Sequence, residues 1–438
     1  MLKITCEGVY YKNGGFVPAK DGPAAGLPAP EKAREGTMAH AILKAHNTGD
    51  NMEELAIRFD AMASHDITYV GIIQTARASG MQAFPLPYVL TNCHNSLCAV
   101  GGTINEDDHV FGLSAAKKYG GEFVPAHQSV IHSYMRERYA APGRMILGSD
   151  SHTRYGAYGT MAIGEGGPEL ARQLLSKTYN IPYPKVIAIY LTGTPIPGVG
   201  PQDVALELIR STFKDGAVKN AVMEFFGPGV ANLSMDYRSG IDVMTTETTC
   251  LSSIWPADHT LKAHLAVLGR GEAFKPQAPA DGAYYDGLIE VELDKIRPMI
   301  ALPFHPSNAY TIQEFQENLD ELLHQVDEDT VRQLKLKNRP ASLREKIVDG
   351  KFRVDQGVIA GCSGGTYQNI VRAAQILDGR AIGSGEFWLS VYPTSQPVNL
   401  ELTRRGYIAS LMAAGASIRS CFCGPCFGAG DTPANGEF

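Results

Sequence analysis

Positive charge is in short supply: 39 Lys and Arg stand against 46 Asp and Glu, a net charge of −7, and no local cluster of Lys or Arg offsets it. A nucleic-acid ligand, which needs a basic face for its phosphates, is therefore excluded. Long apolar runs are absent too. None reaches membrane-spanning length, and Met1-Leu2-Lys3-Ile4-Thr5-Cys6-Glu7 turns polar before a signal-peptide core could form, so the expectation is a cytoplasmic chain without a membrane segment. Cysteine is sparse, with 8 in 438 residues, unevenly spread, which excludes a secreted disulfide framework and favours reduced thiols. No Gly-x-x-x-x-Gly-Lys-[Ser/Thr] loop occurs, against a nucleotide hydrolase, and no short fixed repeat, against a solenoid or propeller.

What remains is an ordinary globular composition, 44% hydrophobic and 19% charged, in a chain long enough for two or three domains. The partners it suits are small molecules. Strand-like and helix-like runs alternate, which predicts an α/β fold of helices packed on mostly parallel sheets. Residues 66–74, 87–91, 145–147, 186–189 and 358–360 read as strands. Residues 108–119, 129–139, 168–178, 203–213, 311–335, 367–377 and 403–414 read as helices. Three units are expected, 1–184, 185–300 and 301–438, with a Pro-rich exposed stretch at 275–287 near the end of the second.

The strongest chemical signal is a set of cysteines. Cys423 and Cys426 form Cys-Gly-Pro-Cys, and Cys362 lies in Gly361-Cys362-Ser363-Gly364-Gly365 just after a strand. Two thiolates two residues apart can turn toward one centre while a third arrives from another loop, and three ligands would leave one iron of an iron-sulfur cluster open. Cys-x-x-Cys alone also serves zinc and redox pairs, and Cys421 could supply a local third ligand. Cys6, Cys98 and Cys250 read as small buried hydrophobes. Gly361 to Gly365 also matches Gly-x-Ser-x-Gly, a nucleophile elbow that would make Ser363 the nucleophile of a serine hydrolase. That fold places its histidine after the serine, and the last histidine here is His324.

Asp150-Ser151-His152-Thr153 follows the short strand at 145–147, where open α/β sheets hold their ligands. A solvated turn using Asp and Ser for local hydrogen bonds is the plainer reading. His132 on an amphipathic helix, His94, and Glu247 among four threonines are individually unremarkable.

Taken in order, these runs resemble the aconitase family of hydro-lyases over nearly the whole chain. Ile73-Gln74-Thr75, Cys93-His94-Asn95, Ile131-His132, Gly148-Ser149-Asp150-Ser151-His152-Thr153, Glu247, Gly361-Cys362 and Cys423-Gly424-Pro425-Cys426 are similar to family landmarks. The resemblance implies three-layer α/β/α domains and a hydratase or dehydratase acting on a small hydroxy di- or tricarboxylic acid. It implies a [4Fe-4S] cluster on Cys362, Cys423 and Cys426 with one open iron. It further implies acid–base pairs His132 with Asp150 and His152 with Glu247, His94 as proton donor to the departing hydroxyl, and Gln74 and Ser151 on substrate carboxylates. Two positions depart from the pattern. Cys93 stands where the family has an aspartate, and Ser363-Gly364 where it has Thr-Asn. The family continues past the cluster loops with substrate-gripping arginines and a swivelling domain bearing a serine base, so a further domain or a separate small subunit is an expected partner, and low activity is expected of this chain alone. A cluster-binding or regulatory relative without catalysis is the alternative.

Overall fold

The structure is a computed structural model and describes residues 2–94, 101–337, 342–383 and 385–438. Cys98 and Asn95 lie outside the described residues.

Three sheets position the site. The first is wholly parallel, in the spatial order Glu122–Val124, Tyr88–Thr91, Ala61–His65, Met145–Gly148, Met161–Gly164. In chain order that is third, second, first, fourth, fifth, so the winding reverses between Ala61–His65 and Met145–Gly148. Such a switch point opens a crevice at the carboxyl ends of the two strands, because their following connections leave toward opposite faces. The second sheet places Gly287–Glu292, Val186–Thr192, Val222–Phe226 and Ser252–Ile254 parallel to one another, with Leu2–Thr5 antiparallel at its edge. The third holds Gln356–Ile359, Trp388–Val391 and Ser417–Ile418 in parallel.

Strand periodicity explains how the first two sheets form one body. Ala61, Ala63, Val89 and Ile146 enter one core together with Ile187, Ile189 and Leu191 of the second sheet. Their neighbours Met62, Leu90, Met145 and Leu147 enter another together with Val186 and Ala188. Alternate side chains thus feed two cores, one on each face, and each core runs across both sheets under the covering helices. The sheets meet edge to edge: Ser252 Oγ donates to the Ala162 carbonyl at 2.7 Å, and the Trp255 amide to the Gly156 carbonyl at 3.1 Å. The third sheet has a smaller core of its own, including Ile370, Val391, Leu402 and Leu411. It is tied to the first by backbone bonds from Val130 to Thr394, Gln396 to Gln128 and Cys423 to Cys93, the last at 2.8 Å.

Several expected elements differ. Residues 66–74 are not a strand: the strand is Ala61–His65, and the helix Tyr69–Ala78 follows, burying Tyr69, Ile72, Ile73 and Ala76 at helical spacing. The helix expected over 311–335 is two, Ile312–Glu317 and Leu319–Gln333, parted at Asn318. That over 403–414 is parted by Gly406, whose φ of 80° belongs to the left-handed region. The stretch 275–287 does not close the second unit, because Gly287–Glu292 lies inside its sheet, and Leu2–Thr5 joins that sheet from the far end of the chain. Cys250 is buried, as expected, whereas Cys6 is exposed. Among the described residues no helix is long and apolar enough to cross a membrane.

Candidate active site

The switch-point crevice is filled by histidines around one carboxylate. Asp150 follows the Met145–Gly148 strand, and its Oδ1 accepts from the His152 amide at 2.7 Å while its carbonyl accepts from Thr153 Oγ1 at 2.6 Å. The turn uses Asp locally, yet Asp150 is only 8% exposed, so it is not a solvated turn. The neighbouring strand must carry glycine here. A Cβ on Gly164 would stand 2.5 Å from the Asp150 carbonyl and 2.9 Å from Ser151 Cα.

His94 leaves the end of the Tyr88–Thr91 strand, on the far side of Ala61–His65, and its Nε2 lies 3.0 Å from Asp150 Oδ2. Its backbone amide is fixed by Asp66 Oδ1 at 2.9 Å, and the other Asp66 oxygen contacts His109 Nε2 at 3.1 Å. His132 enters from the first turn of Ile131–Arg138. Its Nε2 is 3.2 Å from Asp150 Oδ1, a contact without hydrogen-bond alignment, and its Nδ1 is 3.1 Å from the buried Tyr155 hydroxyl. On the outer side His152 Nε2 meets Glu247 Oε1 at 2.9 Å. Glu247 sits in the short helical turn Thr245–Thr248, not on a strand, and Thr246 Oγ1 binds the Ser151 carbonyl at 2.6 Å, locking that turn to the Asp150 loop. Ser151 is exposed, 3.3 Å from His152 Nδ1.

Cys93, standing where an aspartate was expected, does not leave His94 without a carboxylate. Asp150 supplies one, while Cys93 Sγ lies 3.3 Å from His94 Nδ1. The charge states that follow are sharply divided. Burial would raise the Asp150 pKa, but His132, His152 and His94 outweigh it and hold it well below the carboxylate range. Burial would lower His94 and His152. Cys93 and Asp150 instead lift His94 to about 10, and Asp150 and Glu247 lift His152 to about 9. For His132 burial wins and its pKa falls. Glu247 is lowered, first by its bond to His152. Two charged and one neutral imidazole around one carboxylate separate proton donors from acceptors at neutral pH.

The thiols arrive from the third sheet. Cys362 follows the Gln356–Ile359 strand, and after Ser417–Ile418 Cys423 caps the short helical turn Gly424–Phe427 that contains Cys426. Cys423 and Cys426 are hydrogen-bonded through sulfur. Gly361, with φ +79°, lies so close to Cys426 that a Cβ there would stand 2.4 Å from its Sγ. Arg136 donates to the Cys362 carbonyl at 3.1 Å, holding this loop to the His132 helix. Phe427 stacks on His94 with centroids 5.5 Å apart, so the cysteine loop directly covers the histidine cluster.

All the residues singled out in the sequence come together here except Gln74. It is exposed, two turns into Tyr69–Ala78, and none of the described hydrogen bonds ties it to the Asp150 group. Sequence reasoning missed His65, Asp66, His109, Tyr155, Arg136 and His305, whose Nε2 lies 3.7 Å from the second Glu247 oxygen. For His65 the signal was its place at the end of a strand; the others are single residues on helices or loops. Ser363 is no nucleophile: its described hydroxyl bonds are with Gln202 and the Gly240 carbonyl, not with a histidine.

A parallel sheet with a buried cluster of one carboxylate and several histidines at its switch point, faced by three thiols, defines the class as an α/β protein with its titratable groups gathered at the strand ends. The profile of the aconitase family (aconitate hydratase) matches residues 40–438, and the chain belongs to that family. It is 30% identical over 395 residues to the mitochondrial aconitate hydratase of Schizosaccharomyces pombe, covering 85% of this chain and 46% of that protein. It is 30% identical over 336 residues to the mitochondrial aconitate hydratase of Gracilaria gracilis, covering 74% and 39%. The chain spans about half the length of the curated relatives it matches, or less. The holo-form crystal structure of Thermococcus kodakaraensis aconitase X aligns over 92% of this chain and 87% of that one, at 14% identity and a TM-score of 0.44. The fold assignment rests on the sheets themselves.

Proposed function

We propose that this chain is the cluster-bearing part of a hydro-lyase that removes or adds water at a small hydroxy di- or tricarboxylic acid. The observation that carries this reading is Asp150: one buried carboxylate lies 3.0 Å from a ring nitrogen of His94, 3.2 Å from one of His132 and 3.5 Å from one of His152, within electrostatic range of Cys362 and Cys426. The thiols suit a [4Fe-4S] cluster. All three are free, and the closeness of Cys426 to Gly361 brings the Cys362 and Cys423–Cys426 loops onto one spot. With three protein ligands, such a cluster supplies a Lewis-acid iron that can polarise a substrate C–O bond.

The chain's own groups then divide the labour. His94, held protonated beside Asp150, is the proton donor to the departing hydroxyl, and Asp150 stabilises its charge. His152, fixed by Glu247, presents a second positive charge to a substrate carboxylate, with the exposed Ser151 hydroxyl beside it. His132, neutral and oriented by Tyr155, accepts or relays a proton through Asp150. Phe427 and the cysteine loop keep bulk water from His94.

Among the described residues no lysine or arginine bonds to Asp150, its histidines or Glu247, and the remaining substrate carboxylates would be met by cations outside this group. A further domain or small subunit docked over the crevice would supply these and the base that takes the carbon-bound proton. The test is anaerobic reconstitution followed by assay against citrate, isocitrate, isopropylmalate and methylcitrate, with and without a separately supplied polypeptide carrying such a further domain. The expected result is about four iron and four sulfide per chain, with turnover only in the combined preparation. Robust turnover by this chain alone would place the base within it and overturn the division. Full cluster with no turnover in the combined preparation would favour a regulatory relative.

A further inference from the structure

His65 has no part in the scheme above, yet among the described residues it is one of the buried polar side chains with a nitrogen left unpartnered. It closes the Ala61–His65 strand and is 6% exposed. Its Nδ1 is buried with no hydrogen-bond partner, and its Nε2 lies 4.0 Å from Asp150 Oδ2, beyond hydrogen-bond reach. A buried imidazole left this way marks the place of an occupant such as a water or an ion.

The surroundings select between the two. The His65 ring is stacked on His94, centroids 3.8 Å apart and planes 22° apart, and the Nε2 atoms of both rings turn toward Asp150 Oδ2, at 4.0 and 3.0 Å. One ligand atom from each of the three residues lies within 4.8 Å of the others, and all three residues are buried. Meanwhile Asp150 Oδ1 is engaged by the His152 amide and faced by His132, whereas Oδ2 is the oxygen that the His94 and His65 Nε2 atoms face. Behind His94, Asp66 fixes the backbone, as outer partners of metal-bound histidines do. Two imidazole nitrogens and one carboxylate oxygen form a donor set for a divalent first-row ion, distinct in kind from the thiols.

The geometry points to a mononuclear divalent transition-metal site on His65, His94 and Asp150, separate from the site formed by Cys362, Cys423 and Cys426. The ligand set stands without the proposed function. Only its consequence rests on that reading: an ion here takes the lone pair of His94 that would carry the proton, so the site is inhibitory, and zinc is the fitting ion.

The probe is Co2+, whose ligand-field absorption reports imidazole and carboxylate coordination, titrated into the full chain carrying C362S, C423S and C426S so that no cluster thiol competes. The expected result is one Co2+ per chain, bound about tenfold or more weakly when His65→Gln is added. No binding, or binding indifferent to His65→Gln, overturns the site. Should the triple variant fail to fold by circular dichroism, the cluster-reconstituted wild-type chain is equilibrated with zinc, washed and counted for metals. Zinc retained by the wild type and lost in His65→Gln supports the site; equal zinc in both, or none in either, overturns it. Because the Co2+ arm lacks the thiols, failure of the cluster reading leaves its result intact.

Discussion

Asp150→Asn keeps the shape of the side chain and removes the charge around which the site is built. In the wild type the His94 pKa rises from 6.5 to about 10 despite burial, which corresponds to about 5 kcal/mol of preference for the charged ring. The Cys93 sulfur contributes to that preference, so loss of the Asp150 carboxylate is expected to cost about 3 kcal/mol, near the range for breaking a buried pair. The pH dependence has a definite sign. His94 and His152 have raised pKa values, so their contribution is complete below 6.5 and is lost as pH rises through about 9 and about 10. Asp150 is depressed, so its contribution is present above 3.8 and disappears as pH falls through its lower folded value. The penalty of Asp150→Asn is therefore greatest between 3.8 and 6.5 and shrinks toward pH 10. Urea unfolding followed by Trp255 fluorescence reads it. That indole is fully buried, stacked on Phe225, and bonded through its amide across the junction of the two sheets, whereas Trp388, the other of the 2 tryptophans, is 36% exposed. A penalty below about 1 kcal/mol, or one equal at about pH 6 and about pH 10, would refute the assignment of Asp150 as the electrostatic centre.

Three further outcomes are expected. Glu247→Gln should lower the His152 pKa from about 9 toward 6.5, read by NMR titration, and reduce turnover of the combined preparation about 10²-fold; an unmoved His152 titration would show that Asp150 alone sets it. Gly361→Ala puts a Cβ 2.4 Å from Cys426 Sγ on a backbone with φ +79°, so iron uptake on reconstitution should fall sharply, with a stability loss of about 1–3 kcal/mol; wild-type iron content would contradict the convergence of the two loops. Cys426 is exposed and drawn down to about 7 by Cys423 and the His152 and His94 charges, while burial pushes Cys362 up to about 12. Mass-mapped iodoacetamide labelling near neutral pH should therefore modify Cys426 before Cys362 and Cys423, and cluster assembly should protect it.

The sequence disclosed the parts of this site that are carried by local pattern. Cys423 and Cys426 are two residues apart, and Cys362 and Asp150 each follow a short apolar strand, which is where a parallel sheet presents its chemistry. The helix Tyr69–Ala78 was also within reach, since its buried positions 69, 72, 73 and 76 follow helical spacing. It was hidden by the β-branched run around it, and the true strand, Ala-Met-Ala-Ser-His, has the weak β-propensity of alanine. Contacts made by distant pairing had no local trace at all. Leu2–Thr5 aligns with Leu288 to Val291, Arg136 reaches the Cys362 carbonyl, and Asp150 replaces the carboxylate that Cys93 lacks. The breaks at Asn318 and Gly406 were legible as residues but not as positions, because the flanking helical patterns run on through them.

On the proposed function, Cys362, Cys423 and Cys426 would hold one iron-sulfur cluster with one iron free of a protein thiolate. Mössbauer spectroscopy of the iron-labelled, reconstituted chain, before and after addition of a hydroxy tricarboxylic acid, tests it most directly. The expected result is a cluster in which one of about four irons changes its spectrum on addition of the acid, and no cluster in Cys362→Ser or Cys426→Ser. A cluster whose irons all ignore the acid, or iron and sulfide bound equally well without those cysteines, would contradict it.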